Sequence, residues 1–354
     1  MTATVIPSTY PAGDRTLPSE VAPMAHDGLD SGPVFVVGPD RSGTTLMQAL
    51  LGSHPNIAMP PKASNMWTYF YDRYGDLSVP AAFERCLAAI LAYRHAAILE
   101  PDADQIRAEF RAGEATYARL FAVIHAQYAR RLGKPRWGDR STYVERHADE
   151  ILAAFPTGRM VHMIRDPRDR YASSITRWSR GAGRVGGATA RWLYSARLAR
   201  RNEARYPDRY RIVRYEDLAS DPETVLRATC AFLGEAFDPA MLDLEGAEGF
   251  RGRGGNSSYG RHDEAHISPR SVGRFKSVLS KRELAFMQTY AGREMRRMGY
   301  APISLRLSTN DRMRFLAWEL PLNLVRMAIW RVLVGLSAAG PKALSRRSSG
   351  SGPR

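Results

Sequence analysis

Short apolar runs alternate along this chain with longer stretches whose apolar residues recur at helical spacing. Residues 34–37, Val-Phe-Val-Val, form the first run and read as a buried strand. Leu46, Met47, Leu50 and Leu51 follow at the spacing of a helix, after a turn bracketed by Gly38 and Gly43. Residues 57–59 are another short apolar element. The aromatic residues Trp67, Tyr69, Phe70, Tyr71 and Tyr74 behind it read as core between helices in preference to an acceptor pocket. Residues 81–99 and 103–131, rich in Ala, Leu and Arg, predict helices, so that 75–133 becomes a helical insertion. Residues 134–141 read as a loop leading into a helix over 143–155. Further strands are predicted over 160–164 and 210–215, with helices over 188–206 and 222–233, and the glycine-rich stretch 181–187 predicts a mobile lid. This alternation predicts an α/β fold, a parallel β-sheet flanked by helices on both faces. Ligands of such sheets bind at the carboxyl ends of the strands.

Two of those strand ends carry anion chemistry. The first has the frame Gly38-x-x-x-x-Gly43-Thr44-Thr45, a P-loop-like sequence in which a strand, a glycine-bounded loop and a helix start aim backbone N–H groups at one anion. Thr44 stands where a nucleotide hydrolase carries the lysine that reaches the β- and γ-phosphates. The loop therefore suits a phosphate that is not part of a triphosphate, with Arg41 as its cation. At the second end the strand over 160–164 runs into Arg165-Asp166-Pro167-Arg168, with Pro167 placed for the first turn of a helix that carries Ser173. A guanidinium, a hydroxyl and a helix N-terminus make a second phosphate site. The plainer alternative is a surface ion pair between Arg165 and Asp166.

Arg41-Ser42-Gly43-Thr44-Thr45 after a hydrophobic strand resembles the 5′-phosphosulfate loop of sulfotransferases that use 3′-phosphoadenosine 5′-phosphosulfate (PAPS). Arg165 with Ser173 resembles that family's second signature, which implies binding of the 3′-phosphate. Residues 213–218 with Tyr215, then Asp221-Pro222 and residues 231–234, resemble its central strand and following helix, and imply that Tyr215 lies near the adenine. Residues 271–276 resemble its nucleotide-closing segment, with Arg270 and Arg274 as further candidates for the 3′-phosphate. The matches run in the family's order over roughly residues 33–300, within a domain read as 33–302, and are most similar to the branch of protein-tyrosine sulfotransferases and their bacterial relatives. The resemblance implies in-line transfer of a sulfuryl group to a hydroxyl or amine, release of adenosine 3′,5′-bisphosphate, and no metal. Two departures stand out. Lys62 holds the place where this branch commonly has a glutamate base, and Gly138-Asp139-Arg140-Ser141 replaces a Gly-Asp-Lys-Thr-like segment whose lysine supports the transferring group. Arg41, Asp139, Arg140 and Lys62 are the candidate catalytic residues. Asp139, Glu145, His147, His262 and His266 are candidate bases, and an acceptor ionised at neutral pH would need none.

The 354 residues carry a formal net charge of +15, which suits anionic ligands, acidic acceptors, nucleic acid or an anionic membrane and selects none of them. A nucleic-acid partner lacks an aromatic platform or recognisable motif. Acceptors in reach of this reading are a small molecule, glycan, lipid or peptide. Cys86 and Cys230 have no Cys/His ligand spacing around them, so neither a disulfide framework nor zinc is expected. Residues 1–32 read as a disordered leader without a signal peptide, and the protein as cytoplasmic. Residues 303–354 form a basic tail. Within it, 313–336 predicts a helix, apolar except for a polar stripe of Glu319, Asn323 and Arg326. That helix either packs on its own domain or a partner subunit, or lies on an anionic membrane or over the acceptor cleft. Two rivals complete the field: a P-loop kinase or nucleotide hydrolase, and a non-catalytic nucleotide-binding relative.

Overall fold

The computed structural model describes residues 29, 32–177, 185–244 and 267–338. Among them, five strands form one sheet: β1 (Val34–Val37), β2 (Ile57–Ala58), β3 (Arg136–Arg140), β4 (Arg159–Ile164) and β5 (Tyr210–Arg214). Their order is β2-β3-β1-β4-β5, with every pairing parallel. Parallel strands need crossovers, and the crossover helices cover both faces. Val34 and Val36 of β1 pack with Met47, Leu50, Val161 and Leu226 on the face covered by the helices Thr44–Gly52 and Pro222–Leu233. Phe35 turns the other way. Its ring meets Trp137 edge-on at 5.8 Å and stacks at 6.3 Å on Phe121 of the helix Tyr117–Arg131. Burying each such side chain is worth about 1.5–3 kcal/mol, so a four-residue strand can hold the centre. This is the P-loop-like α/β architecture expected from the alternation of elements. Because β1 lies between β3 and β4, the segments leaving all three converge at one carboxyl edge.

The main departure is β3. Its residues, Arg-Trp-Gly-Asp-Arg, were expected in a loop, yet they pair with β2 on one side and β1 on the other. Charge hides the strand from a period search; remote partners satisfy it. Arg136 donates to the Leu233 carbonyl at 2.8 Å and to Glu235 at 3.0 Å. Gly138 is required by proximity, because a Cβ there would lie 2.3 Å from the Met59 sulfur and 2.7 Å from the Val34 carbonyl oxygen.

Smaller differences follow the same logic. The period over 103–131 is two helices, Ala103–Arg111 and Tyr117–Arg131, the second capped by Thr116, whose hydroxyl accepts from Arg119 N–H at 3.2 Å. The helix expected over 81–99 ends at Leu91. The segment 143–155 begins as a tight 3₁₀ turn, Val144–His147, before the helix Ala148–Ala154. Tyr215 opens the helix Tyr215–Ser220 instead of ending β5. Of the expected lid, residues 181–184 lie outside the described residues, and Val185 to Gly187 form the first turn of the helix Val185–Arg205. The aromatic group near Trp67 is core: Trp67 is buried, 4.5 Å from Tyr71 and 5.2 Å from Tyr117.

At the C-terminal end the helix Lys281–Arg297 begins with a complete capping box, Ser280 with Glu283. The tail continues through Thr309–Arg314, one wider turn over Phe315–Glu319, and the helix Leu320–Ala338. That last helix packs on Val185–Arg205, most closely at Gly186, where a Cβ would meet the Asn323 carbonyl oxygen at 2.2 Å.

Candidate active site

The glycine-bounded loop leaves β1 at the centre of the carboxyl edge, and its backbone dictates its sequence. Gly38 has φ +127° and Gly43 φ +91°, both in the region that side chains avoid. Space closes the argument. A Cβ on Gly38 would lie 2.4 Å from the Met163 carbonyl oxygen, and one on Gly43 2.5 Å from the Tyr215 ring. Arg41 also has positive φ, +65°, which costs a non-glycine residue about 1–2 kcal/mol. Its Nε donates to Ser173 Oγ at 3.0 Å, tying the first loop to the helix Pro167–Arg177. Ser42 and Thr44 are buried, Thr45 is exposed, and the Ser42 hydroxyl has no hydrogen-bond partner. The helix Thr44–Gly52 thus points its first N–H groups and an unused hydroxyl at one place, the arrangement that binds an anion.

Arg165 leaves β4 beside this loop. Its guanidinium donates to the carbonyls of Arg41 at 3.3 Å and Ser271 at 2.9 Å and stacks 4.3 Å from the Tyr215 ring, while its Nε is buried without a partner. The ion-pair alternative does not hold. Asp166 is taken by Arg168, whose Nε donates to it at 2.9 Å. Tyr215, expected near the adenine, is 1% exposed. It is wedged under Gly43, and its hydroxyl meets Ser271 Oγ at 2.7 Å, so it supports the loop and Arg165 from beneath. The segment 271–276 comes to the same place because the Asp169 carboxylate accepts from the N–H groups of Gly273 at 2.6 Å and Phe275 at 2.8 Å. Arg270 is exposed at its start and Arg274 half-buried within it.

The third segment leaves β3. Arg140 is half-buried and its Nε has no hydrogen-bond partner; desolvation pulls its pKa down to about 10 against the opposing pull of the Asp139 carboxylate. Asp139 faces the other side of the sheet, 1% exposed. Burial works against its ionised form, but His125 and the hydroxyls of Ser64 and Ser141 outweigh it and hold the carboxyl below its ordinary range. His125 Nε2 stands 3.5 Å from it and Ser141 donates at 2.9 Å. A carboxylate so enclosed cannot reach an acceptor, which corrects its candidacy as a direct base; its partners are His125 and Ser141. Lys62 lies exposed on the loop after β2, whose Ser64 N–H donates to the Arg140 carbonyl at 3.2 Å.

Other candidate bases are also committed. Glu145 is fully buried, its carboxyl pushed up by desolvation against the hydrogen bond that Ser195 donates at 2.5 Å. His147 accepts from Arg146 Nε at 3.1 Å, and burial with that guanidinium lowers its pKa to about 4. His262 and His266 lie outside the described residues. Sequence reasoning missed Asp40, whose carboxylate accepts from the Tyr143 hydroxyl at 2.6 Å and the buried Arg170 guanidinium at 2.5 Å. Burial opposes its charge, yet Arg170 and Tyr143 hold the carboxyl below its ordinary range. The available signal was its place inside the loop, next to Arg41. No group of His, Cys, Asp and Glu among the described residues could hold a metal ion.

His162 sits beneath this edge, fully buried between the Tyr210 hydroxyl at 2.6 Å and Ser195 Oγ at 3.2 Å, and desolvation lowers its pKa to about 3. The unfolded chain therefore binds a proton that the folded one refuses between about pH 3 and pH 6.5, and stability falls as pH drops through that window. The expected loss from His162 between pH 7 and pH 5 is about 2 kcal/mol. Glu145, shifted upward, contributes with the opposite sign, so the comparison is between proteins. Urea unfolding of wild type and His162→Gln at both pH values should show the loss reduced in the variant by about that amount.

Comparison with known proteins places this geometry. The model of the "Sulfotransferase family" matches residues 33–239. Mouse (Mus musculus) carbohydrate sulfotransferase 5 is 35% identical over 104 residues, which cover 23% of this chain and 26% of that protein, so the match spans about a quarter of the relative's length. The solved sulfotransferase domain of the Synechococcus PCC 7002 olefin synthase superposes with a TM-score of 0.53 at 22% identity, over 76% of this chain and 94% of that domain, and shares the fold.

Proposed function

The chain belongs to the sulfotransferase family, and from that premise we propose that it moves the sulfuryl group of PAPS to a hydroxyl, or an amine, of a small-molecule, glycan, lipid or peptide acceptor. One observation carries the choice of donor. Ser42 Oγ, Arg140 Nε and Arg165 Nε are buried donors without partners, and they stand on the three segments that converge at the carboxyl edge. Buried donors are rarely left unsatisfied, so three at one edge fit a polyanion. Two linked anion sites suit a nucleotide phosphorylated at both the 3′ and 5′ positions.

In this reading the amides and hydroxyls of Arg41, Ser42, Gly43, Thr44 and Thr45 hold the 5′-phosphosulfate. Arg165 and Ser173, with Arg270 and Arg274, hold the 3′-phosphate. When bound, the donor supplies an activated sulfuryl group whose leaving partner is adenosine 3′,5′-bisphosphate. Arg140 and Arg41 place positive charge where oxygens become more negative during transfer, and a guanidinium deprived of water does so with little reorganisation. Lys62, exposed on the neighbouring loop, attracts an anionic acceptor. Among the described residues the edge offers cations and paired or buried carboxylates, which favours an acceptor whose nucleophile is ionised at neutral pH. We place the protein in the cytoplasm, a reading supported by the free, buried thiols of Cys86 and Cys230.

Titration calorimetry with adenosine 3′,5′-bisphosphate and, separately, ATP with magnesium tests the donor. Wild type should prefer the bisphosphate, and Arg165→Ala should bind it about thirtyfold more weakly, the loss of about 2 kcal/mol typical of a charged phosphate contact. Preference for ATP would replace the proposal with a kinase or hydrolase, and binding of neither with a non-catalytic relative.

A further inference from the structure

The C-terminal helix Leu320–Ala338 is amphipathic in the reverse of the usual sense. Glu319 and Asn323 face the protein. Glu319, just before it, accepts from Arg282 Nε at 2.8 Å, Asn323 Oδ1 accepts from Gly186 N–H at 3.1 Å, and Asn323 Nδ2 donates to the Glu319 carbonyl at 2.8 Å. Met327 is buried on the same side. The outward side is apolar: Trp318 is 74% exposed, Val325 54%, Ile329 53% and Val332 61%, with Leu322 and Leu333 exposed between them. From Trp318 through Leu322, Val325 and Ile329 to Val332 the spacing is that of one continuous helical stripe. A stripe of that length in water marks a binding surface.

Charge selects the occupant. The acids of this tail, Asp311 and Glu319, are both neutralised by Arg282. Arg312, Arg314, Arg326 and Arg331 have no carboxylate partner among the described residues. At about 100° per residue, Arg326 and Arg331 fall on opposite flanks of the Val325 stripe, where their stems can lie along apolar surface while the heads reach anionic groups. A second copy docked on this face would bring unpaired arginines against each other. We propose that this face rests on an anionic membrane, with the helix lying in the interface and Trp318 at headgroup level. No helix among the described residues is long and apolar enough to cross, and an interfacial helix does not need to. The proposal is independent of sulfuryl transfer.

Co-sedimentation of the full chain with phosphatidylglycerol/phosphatidylcholine vesicles, and with phosphatidylcholine alone, reads it directly. Binding should need phosphatidylglycerol, weaken in high salt, and fall at least about tenfold in both Val325→Glu/Ile329→Glu and Arg326→Glu/Arg331→Glu. The second pair keeps the test open if the first disturbs folding, which circular dichroism reports. Failure to bind anionic vesicles would overturn the proposal, as would binding unchanged in well-folded variants. Light scattering that showed a lipid-free dimer dissolved by Val325→Glu/Ile329→Glu would overturn it as well, assigning the face to a second copy.

Discussion

Arg140→Ala is expected to lower sulfuryl transfer about 10²–10³-fold, the usual cost of removing one preorganised donor from a developing oxyanion. Affinity for adenosine 3′,5′-bisphosphate should change little, because that product lacks the sulfuryl group that Arg140 is proposed to serve. The free protein should not lose stability. The guanidinium is partly buried with an unpartnered Nε, and desolvation lowers its pKa to about 10 against the pull of Asp139, so truncation removes a charge whose burial is costly in the free protein. Arg140→Lys keeps the charge and loses the planar fork, and should recover only part of the rate. The measurements are kcat with labelled PAPS, calorimetry with the bisphosphate, and a melting curve. An Arg140→Ala protein with full turnover, or one that melts early, would show that the side chain is structural.

Gly43→Ala should act through the backbone. The left-handed φ of +91° costs an alanine about 1–2 kcal/mol, and its Cβ would sit 2.5 Å from the Tyr215 ring. Tyr215 cannot simply withdraw: it lies against Arg165 and its hydroxyl meets Ser271, so the collision spreads to the second candidate anion site. The expected sum is a loss of about 2–4 kcal/mol in unfolding free energy, with bisphosphate binding weakened at least about 100-fold because the loop amides are displaced. Gly75→Ala is the control. Gly75 has a similar φ of +78° but nothing within 4 Å of the added carbon. It should lose only the strain energy and bind the bisphosphate normally. Equal effects at both positions would mean that φ alone matters and that the contact with Tyr215 does not.

Much of the site was legible because it is local. Residues 38–45 carry their own loop, with glycines at the positions where the backbone needs them, and Arg165 and Ser173 lie on one short strand-to-helix segment. Asp40 and Asp169 were open to notice within those segments, but their work is not local. Asp40 binds Arg170, 130 residues away, and Asp169 holds Gly273 and Phe275 more than 100 residues on. Asp139 shows the converse error. Its neighbour Arg140 made it look exposed to the same chemistry, yet successive strand residues point to opposite faces, and Asp139 belongs to His125.

By itself, then, the sequence determined the alternating α/β plan and the two candidate anion loops, since period, glycine placement and motif spacing are properties of neighbouring residues; that Lys62 stands where relatives carry a glutamate rests on the resemblance alone. Tertiary structure alone decided that 136–140 is a strand, which charges are spent on structure, and which remain unpaired for a ligand. It also turned Glu319 and Asn323 of the C-terminal segment inward and left its apolar stripe outward. A side chain's partner is set by packing across the chain, and desolvation then makes the difference between a satisfied charge and an unsatisfied one.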